Sequence, residues 1–441
     1  MNTKTSRTRP RQAAIAALAG TSIEWYDFFI YATAAALVFR EVFFPPDMDP
    51  VIGIIVAFGT TSFGYLGRPI GALIFGHLGD RIGRKPVLVA TLTLMGIGTI
   101  GIGLLPTYEA VGPLAPLLLI ILRLLQGVAM GGEWGGAALL AVEHAPENRR
   151  TFFGSFVQLG SSVGATLSAA VFALSALVGD GLVAGSWRIP FLASAVLLII
   201  GLVIRLKVDE SPEFTELAAK SEISKVPAKV VLTKMPKRLL IGIGTMLVAT
   251  GGYYVTSSFF LAYATEQAGV PVDLVLNALI IAGLFEMAFM PLAGLLGDKW
   301  KAQYVVAVGL SGIAILAVPL YLLAHTGSML IITVMLSIIA LFTAFNYGPM
   351  ASILSSIFPV NVRYTGTSFA YQGAALTAGV LTPIVLPTLL GIAGGSPWLI
   401  LGYLAIFCGV AIGCVLATRK LALPVQVHDS VVTSSPVAEI R

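Results

Sequence analysis

An all-α polytopic membrane protein, with about twelve transmembrane helices in two six-helix pseudo-repeats, is the architecture this sequence predicts. Three observations predict it. Of 441 residues, 57% are hydrophobic and only 11% charged, against roughly a quarter charged in an ordinary soluble domain. Apolar runs recur at lengths that cross about 30 Å of hydrocarbon. Two short patterns also occur twice. GHLGDRIGRK at 76–85 returns as GLLGDKWKAQ at 294–303, which aligns Asp80 with Asp298 at an offset of 218 (298 − 80). PENRRTFFGSF at 146–156 returns as PVNVRYTGTSF at 359–369, at an offset of 213 (359 − 146).

The elements follow in order. Residues 1–14 are a polar, basic tail that runs straight into a full-length apolar span, with no short apolar core and small-residue cleavage site of a signal peptide. Spans are expected at 15–38, 51–78, 87–106, 113–139, 152–178 and 189–206, forming an N-terminal half over 15–206. A linker at 207–237, rich in Lys and Glu and punctuated by Pro212, Pro227 and Pro236, reads as a solvated connector carrying amphipathic helix. The C-terminal half over 238–418 holds spans at 238–263, 273–296, 303–323, 329–355, 366–390 and 397–418. A tail at 419–441 contains Pro424 and Pro436 and no apolar heptad.

The 27 Lys and Arg sort by side. One set of loops holds Lys4, Arg7, Arg9, Arg11, Arg81, Arg84, Lys85, Arg149 and Arg150, the basic linker from Arg205 to Arg238, Lys299, Lys301, Arg363 and the tail. The opposite loops hold Arg40 and Arg188. The positive-inside rule then places both termini in the cytoplasm and the chain in a bacterial-type inner membrane. Its net charge of +5 reads as topology signal with a minor affinity for anionic lipid, and nucleic acid is not expected as a partner. Cys408 and Cys414 both lie in the last span, so no disulfide framework is indicated.

The pattern G-x-L-G-D-R-x-G-R-K resembles the loop between the second and third helices of the major facilitator superfamily of secondary transporters. That resemblance implies a gate built from Gly79, Asp80, Arg81, Gly83, Arg84 and Lys85, with Asp298 in its degraded copy. Physically, Asp80 belongs at a helix N-terminus, where negative charge is favoured, and Arg84 and Lys85 are placed to reach Glu143 or Glu147. Arg363, on the matching loop of the second half, completes the expected gate. A pure positive-inside signal would leave Asp80 and the glycines without a purpose.

A charge at the bilayer centre costs at least ~2.5 to 3.5 kcal/mol on insertion scales, so intramembrane ionisable residues are functional candidates. They are Glu24 and Asp27 in the first span, Arg68 in the second, Arg123 and Glu133 in the fourth and Glu286 in the eighth. Asp27 lies ~21 Å and Arg68 ~16 Å along their helices from one membrane face at 1.5 Å rise per residue, so a contact between them is expected if the helices pack. Glu24, Asp27 and Tyr31 form one stripe at i, i+3, i+7, expected to face the central cavity. Arg123, Gln126, Gly127, Met130 and Trp134 share a face of the fourth helix. Adding 218 to Arg68 gives Glu286, so equivalent positions in the two halves carry opposite charges. Gln158, Tyr253, Tyr254, Thr256, Ser257, Ser258, Asn346 and Tyr347 are candidates to complete a polar pocket. The alternative is that Arg68 and Arg123 are structural cations paired with Glu24, Asp27 or Glu133.

GTSIEWYDFFIY at 20–31, RPIG at 68–71, RLLQGVAMGGEWGGA at 123–137, WRIPF at 187–191, ESPEF at 210–214 and FPVNVRYTG at 358–366 together are similar to the metabolite:proton symporter family within that superfamily. The resemblance implies import of a small organic acid, shikimate-like or another mono- or dicarboxylate, by proton symport and alternating access, with a monomer as the family expectation. It implies proton coupling at Asp27, Glu24, Arg123 and Glu133. Substrate contacts are expected from Arg68, Arg123, Tyr31, Gln126, Trp134, Gln158, Tyr254, Glu286 and Asn346. No cofactor is implied beyond the proton as coupling ion, and no metal. A zwitterionic osmolyte such as proline or betaine is the alternative substrate, and an uncoupled facilitator or an exporter the alternative mode. The second gating loop, GDKWKAQ, lacks the glycine and paired basic residues of the first, which implies a weaker latch in the C-terminal half.

Coupling then follows from competition for a guanidinium: ionised Asp27 would occupy Arg68 or Arg123, and protonation would release the donor fork to an anionic substrate. An enzyme is not expected, because His77, His144, His325 and His428 are scattered and no HExxH, GxSxG or Cys/His spacing occurs. A channel would lack the two-half repeat and its midplane charges.

Overall fold

A computed structural model of the chain describes residues 9–48, 50–179 and 181–423. Lys4, Arg7, Pro424, His428 and Pro436 lie outside the described residues. Among those described, ten helices are long and apolar enough to cross a membrane: Arg84–Leu104, Leu114–Glu143, Glu147–Ser175, Arg188–Leu206, Pro236–Glu266, Val272–Trp300, Ala302–Thr326, Met329–Ser356, Val360–Ile392 and Trp398–Leu421. Pro10–Leu37 and Pro50–Arg81 precede them as the first and second long helices, and the first carries Glu24 and Asp27 in its interior. With twelve crossings, Pro10 and Leu421 fall on one face of the bundle, called here the terminal face.

Within the N-terminal half the first helix packs on the fifth, the second on the fourth, and the third on the fourth and sixth. Small residues permit this. A Cβ at Gly71 would run into the Val128 carbonyl and one at Gly127 into the Gly64 carbonyl, so the second and fourth helices touch backbone to backbone, as small-residue stripes allow in lipid. The C-terminal half repeats the pattern with the eighth helix on the tenth, and the ninth and seventh on the twelfth. The halves meet where the second helix crosses the eleventh and the fifth crosses the eighth, a pairing that a pseudo-twofold axis maps onto itself.

Two of the C-terminal helices are interrupted. The seventh has a wide π-type turn at Val248–Gly252 and a kink at Ser257 (φ −119°, ψ −102°). The eleventh has a similar turn at Ala375–Gly379. The two turns face each other, with Gly251 against the backbone of Ala378. Such single wide turns leave carbonyls out of register and recur at functional sites.

Two expectations are corrected by the packing. Arg205 does not open the solvated linker; it is the last charge of the sixth helix, 2% exposed, and points into the N-terminal half. The linker is not simply solvated either. Its helices Pro212–Ala219 and Pro227–Lys234 bury Phe214, Leu217 and Val231 against the terminal face. The repeat offset of 218 also pairs Gly83 with Lys301. Gly83 takes φ +111°, and Lys301 takes φ +72°, ψ 127° in the same position, a backbone that glycine favours and that costs about 1–3 kcal/mol for other residues.

Candidate functional site

A cavity of about 560 Å³ lies between the halves, walled by the first, second, fifth, seventh, eighth, tenth and eleventh helices. Arg68, Tyr254, Glu286 and Asn346, all expected at the site, line it. The Arg68 guanidinium stands over the rings of Tyr65 (4.5 Å) and Phe28 (5.3 Å), and its Nη2 lies 3.5 Å from Met130 Sδ. It forms no ion pair among the described residues. Glu286 reaches the cavity from the eighth helix and likewise has no salt-bridge partner there. The hydroxyls of Tyr65 and Tyr254 meet at 3.1 Å across the halves. Asn346 Oδ1 is buried with no hydrogen-bond partner inside the protein, which is uncommon for a buried amide.

The first helix turns a different face to this cavity than its carboxylate spacing suggested. Trp25, Phe28 and Phe29 line it. Glu24, Asp27 and Tyr31 are 5%, 0% and 0% exposed. Asp27 and Tyr31 bond to Ser194 and Thr60 inside the N-terminal half, while Glu24 lies within the field of Arg68 and near Tyr347 and Tyr371 of the cavity wall. Asp27 accepts a hydrogen bond from Ser194 Oγ at 2.5 Å. The expected Asp27 to Arg68 contact is absent among the described residues; the cation whose field reaches Asp27 is Arg123.

Arg123 is fully buried. Its Nη1 donates to Gln126 Oε1 (3.0 Å), and Gln126 Nε2 donates to Thr99 Oγ1 (2.8 Å). Its guanidinium lies 4.0 Å from the centre of the Tyr31 ring and 5.0 Å from that of Phe28. Nε and Nη2 have no protein partner. Tyr31 donates to Thr60 Oγ1 at 2.6 Å. Arg68, on the cavity wall, and Arg123, inside the N-terminal half, thus both stand over the same ring, Phe28, at 5.3 and 5.0 Å.

Glu133 is engaged elsewhere. It pairs with Arg205, whose Nη1 also donates to the Leu88 carbonyl, and it accepts from Thr91 Oγ1 at 2.5 Å. Glu24 sits within the field of Glu133, Arg68 and Arg205, and its Oε2 has no protein partner. The shared face of the fourth helix is not a cavity wall. Trp134 donates Nε1 to Gln158 Oε1 (2.9 Å) and stacks on Tyr371 at 4.5 Å, and Gln158 Nε2 donates to the Tyr347 carbonyl at 3.4 Å. Trp134 and Gln158 thus bridge the two halves beneath the cavity.

The terminal face is closed by a two-sided latch. Asp80 accepts from the backbone N–H groups of Tyr364 (3.0 Å) and Thr365 (2.9 Å), so it caps the N-terminus of the eleventh helix, in the opposite half, rather than a helix beside its own loop. Asp298 accepts from Thr151 N (2.8 Å) and Phe152 N (2.9 Å). Those residues precede Tyr364 and Thr365 by the second repeat offset, 213, so the two caps are related by the pseudo-twofold. Arg84 adds to the first cap alone: it lies 3.5 Å from Asp80, 3.4 Å from Glu143, and donates to the carbonyls of Gly79 and Val360. Ala302 stands at the equivalent position of the second loop.

Arg363 pairs with Glu143 at 3.1 Å and with Glu213 of the linker, which also pairs with Arg150 at 2.7 Å. Glu210 receives the backbone N–H groups of Arg84 (2.9 Å) and Lys85 (3.1 Å). Lys85 does not reach Glu143 or Glu147; its Nζ donates to the Leu206 carbonyl at 2.8 Å. Arg81 is exposed and has no ion-pair partner among the described residues. Burial pushes the pKa of His144, just past the fourth helix, below the usual imidazole range.

Arg205, Ser194, Thr99, Thr91, Glu210 and Glu213 carry much of this geometry and escaped sequence reasoning. Arg205 sits at the edge of an apolar run and read as a flank. Tyr65, three residues before Arg68, was detectable, since i, i+3 neighbours share a helical face.

A two-half, twelve-helix bundle with a charged, aromatic cavity at the interface and a latch on one face is the architecture of a membrane transporter. The family model described as Major Facilitator Superfamily matches residues 17–383, and the chain belongs to that superfamily. It is 38% identical over 417 residues to an inner membrane metabolite transport protein of Escherichia coli K12, covering 92% of this chain and 93% of that one. It is 37% identical to the shikimate transporter of the same organism, over 89% and 90% of the two chains, and 35% identical to its proline/betaine transporter, over 85% and 76%. The structure of the proton:xylose symporter XylE bound to 6-bromo-6-deoxy-D-glucose superposes with a TM-score of 0.74 at 18% identity, covering 94% and 96%, which shows the shared fold.

Proposed function

We propose that this transporter is a proton-coupled symporter importing a small organic acid, shikimate-like or another mono- or dicarboxylate. The observation that carries the reading is Arg68: a guanidinium on the cavity wall, 4.5 and 5.3 Å from the ring centres of Tyr65 and Phe28, with no carboxylate of the protein bonded to it among the described residues. A planar fork of donors in a desolvated site is matched by a ligand carboxylate. The likeness to a shikimate transporter supports the same class.

Coupling is assigned to Asp27 with Arg123. Ionised Asp27 holds Arg123 electrostatically; protonation releases it, and Arg123 then presses on Phe28, whose ring also carries Arg68. Substrate at Arg68 and a proton at Asp27 thereby favour each other, the reciprocity that symport requires. Glu24, whose Oε2 has no hydrogen-bond partner among the described residues, is the second proton candidate, and Glu133 a further one whose protonation would have to break its pair with Arg205. Transport proceeds without a cofactor, as a monomer, towards the terminal face, which is the cytoplasmic side of an inner membrane with both termini inside. The side bias of Lys and Arg supports that orientation.

One observation favours a second substrate class. Glu286 shares the cavity with Arg68, and a carboxylate with a guanidinium among aromatic rings suits a zwitterion such as proline or betaine. An uptake screen in proteoliposomes at two pH values, with shikimate, dicarboxylates, proline and betaine, separates the readings. Organic-acid uptake that rises as external pH falls, is lost in Arg68→Gln and survives in Glu286→Gln supports the first. Uptake of proline or betaine alone, lost in both variants, supports the second.

A further inference from the structure

The second gating loop is degraded as a gate, yet it gathers charges and rings that the latch does not use. Lys299, Trp300 and Lys301 end the eighth helix, Tyr304 opens the ninth, and Arg419 and Lys420 end the twelfth. All six side chains are exposed at the terminal face, Trp300 by 56% and Tyr304 by 43%. Arg419 ties the helices together: its guanidinium lies 4.8 Å from the centre of the Tyr304 ring and donates to the Tyr304 hydroxyl at 2.5 Å. Lys299 lies 5.9 Å from the Trp300 ring. None of the three lysines has an ion-pair partner among the described residues, and the acid beside them, Asp298, is committed to the backbone of Thr151 and Phe152.

One helical turn deeper the same stripes become apolar. Leu295 is four residues from Lys299, Val308 four from Tyr304, and Leu416 three from Arg419 and four from Lys420, which places each on the same face as its charged or aromatic neighbour. Leu295, Val308 and Leu416 are 42%, 53% and 37% exposed. A surface that runs from exposed leucine and valine through Trp and Tyr to lysine and arginine has the polarity profile of one bilayer leaflet, acyl chain to headgroup.

The backbone supplies an independent observation. Lys301 takes the place of Gly83 and holds φ +72°, where glycine would sit without strain. At Gly83 a side chain is barred by Glu210 and Phe214 of the linker, whereas Lys301 is exposed. A lysine kept in a strained glycine position is kept for its charge.

We propose that this cluster, Lys299, Lys301, Arg419 and Lys420 with Trp300 and Tyr304, is a binding site for the phosphate-bearing headgroup of an anionic phospholipid. The lipid would brace the eighth, ninth and twelfth helices at the half of the latch that lacks a counterpart of Arg84.

The test is a thermal-shift titration of the detergent-solubilised full chain with phosphatidylglycerol, with phosphatidylcholine, inorganic phosphate and glycerol 3-phosphate as separate arms. Phosphatidylglycerol should raise the melting temperature saturably where phosphatidylcholine does not. The variant K299Q/K301G/K420Q, which keeps the Arg419–Tyr304 contact, should need about fivefold more phosphatidylglycerol for each lysine removed, since each basic residue near a charged surface contributes about that factor. Lys301→Gly alone should melt no lower than the parent in phosphatidylcholine, because glycine relieves the backbone, yet bind phosphatidylglycerol more weakly. An unchanged phosphatidylglycerol titration in the triple variant overturns the proposal. So does equal stabilisation by phosphatidylcholine, or by either free phosphate at matching concentration.

Discussion

Arg205 changes what the buried charges mean. Its pairing with Glu133 at 2–4% side-chain exposure gives one proposed proton carrier a bonded cation, while Asp27 and Glu24 each keep a buried oxygen with no hydrogen-bond partner among the described residues. Removing one member of a buried pair strands the other, at about 3–5 kcal/mol, while replacing both is far milder. Glu133→Gln and Arg205→Gln are each expected to lower the melting temperature sharply, and the double variant to recover most of the loss, in a detergent melting series. Single variants that melt like the parent would show the pair to be unimportant. At Arg68 the expectation concerns shape as well as charge. Arg68→Lys keeps the cation but gives up the planar fork and the ring contacts, so the apparent substrate affinity in uptake assays should fall by about tenfold or more, and unchanged affinity would remove Arg68 from the substrate site.

Helix ends, rather than helix middles, make the latch. Asp80 and Asp298 each give two carboxylate oxygens to two backbone N–H groups at the N-terminus of a helix in the other half, where the peptide dipoles favour negative charge. Among the described residues the Asp80 side is reinforced by Arg84, Glu143, Arg363 and linker Glu213, the Asp298 side by the Arg150–Glu213 pair alone. The two sides should therefore differ in strength. In a background with Cys408 and Cys414 replaced by Ala, a reporter Ser368→Cys lies buried behind the latch. Asp80→Asn should raise its labelling by a maleimide applied from the terminal face several-fold, and Asp298→Asn by less. Equal effects would contradict the asymmetry. The loop itself was legible in GHLGDRIGRKP, because glycines and opposed charges between two apolar runs have few other uses. The partner of Asp80 was not, since Tyr364 lies 284 residues away and a backbone N–H leaves no mark in a sequence.

At the scale of the whole molecule, the two offsets, 218 and 213, carried most of the information. They divided the chain, matched Arg68 to Glu286 across the cavity, and paired the two helix caps. Hydropathy gave the helices, because apolar length is what a bilayer selects. The orientation of the first helix was misread from spacing alone: Glu24, Asp27 and Tyr31 share a stripe, but a six-helix half has an interior of its own, and Trp25, Phe28 and Phe29 took the cavity instead. That arrangement sets Arg68 and Arg123, the cations proposed for substrate and for coupling, against one ring, Phe28, at 5.3 and 5.0 Å from its centre. Coupled transport through that ring is the central claim, and it is tested most directly by recording external pH while an accepted organic acid is added to proteoliposomes. The expected result is substrate-dependent alkalinisation outside, absent in Asp27→Asn even though that variant still binds the acid. Substrate accumulation against a gradient with no proton movement, or proton movement undiminished in Asp27→Asn, would contradict it.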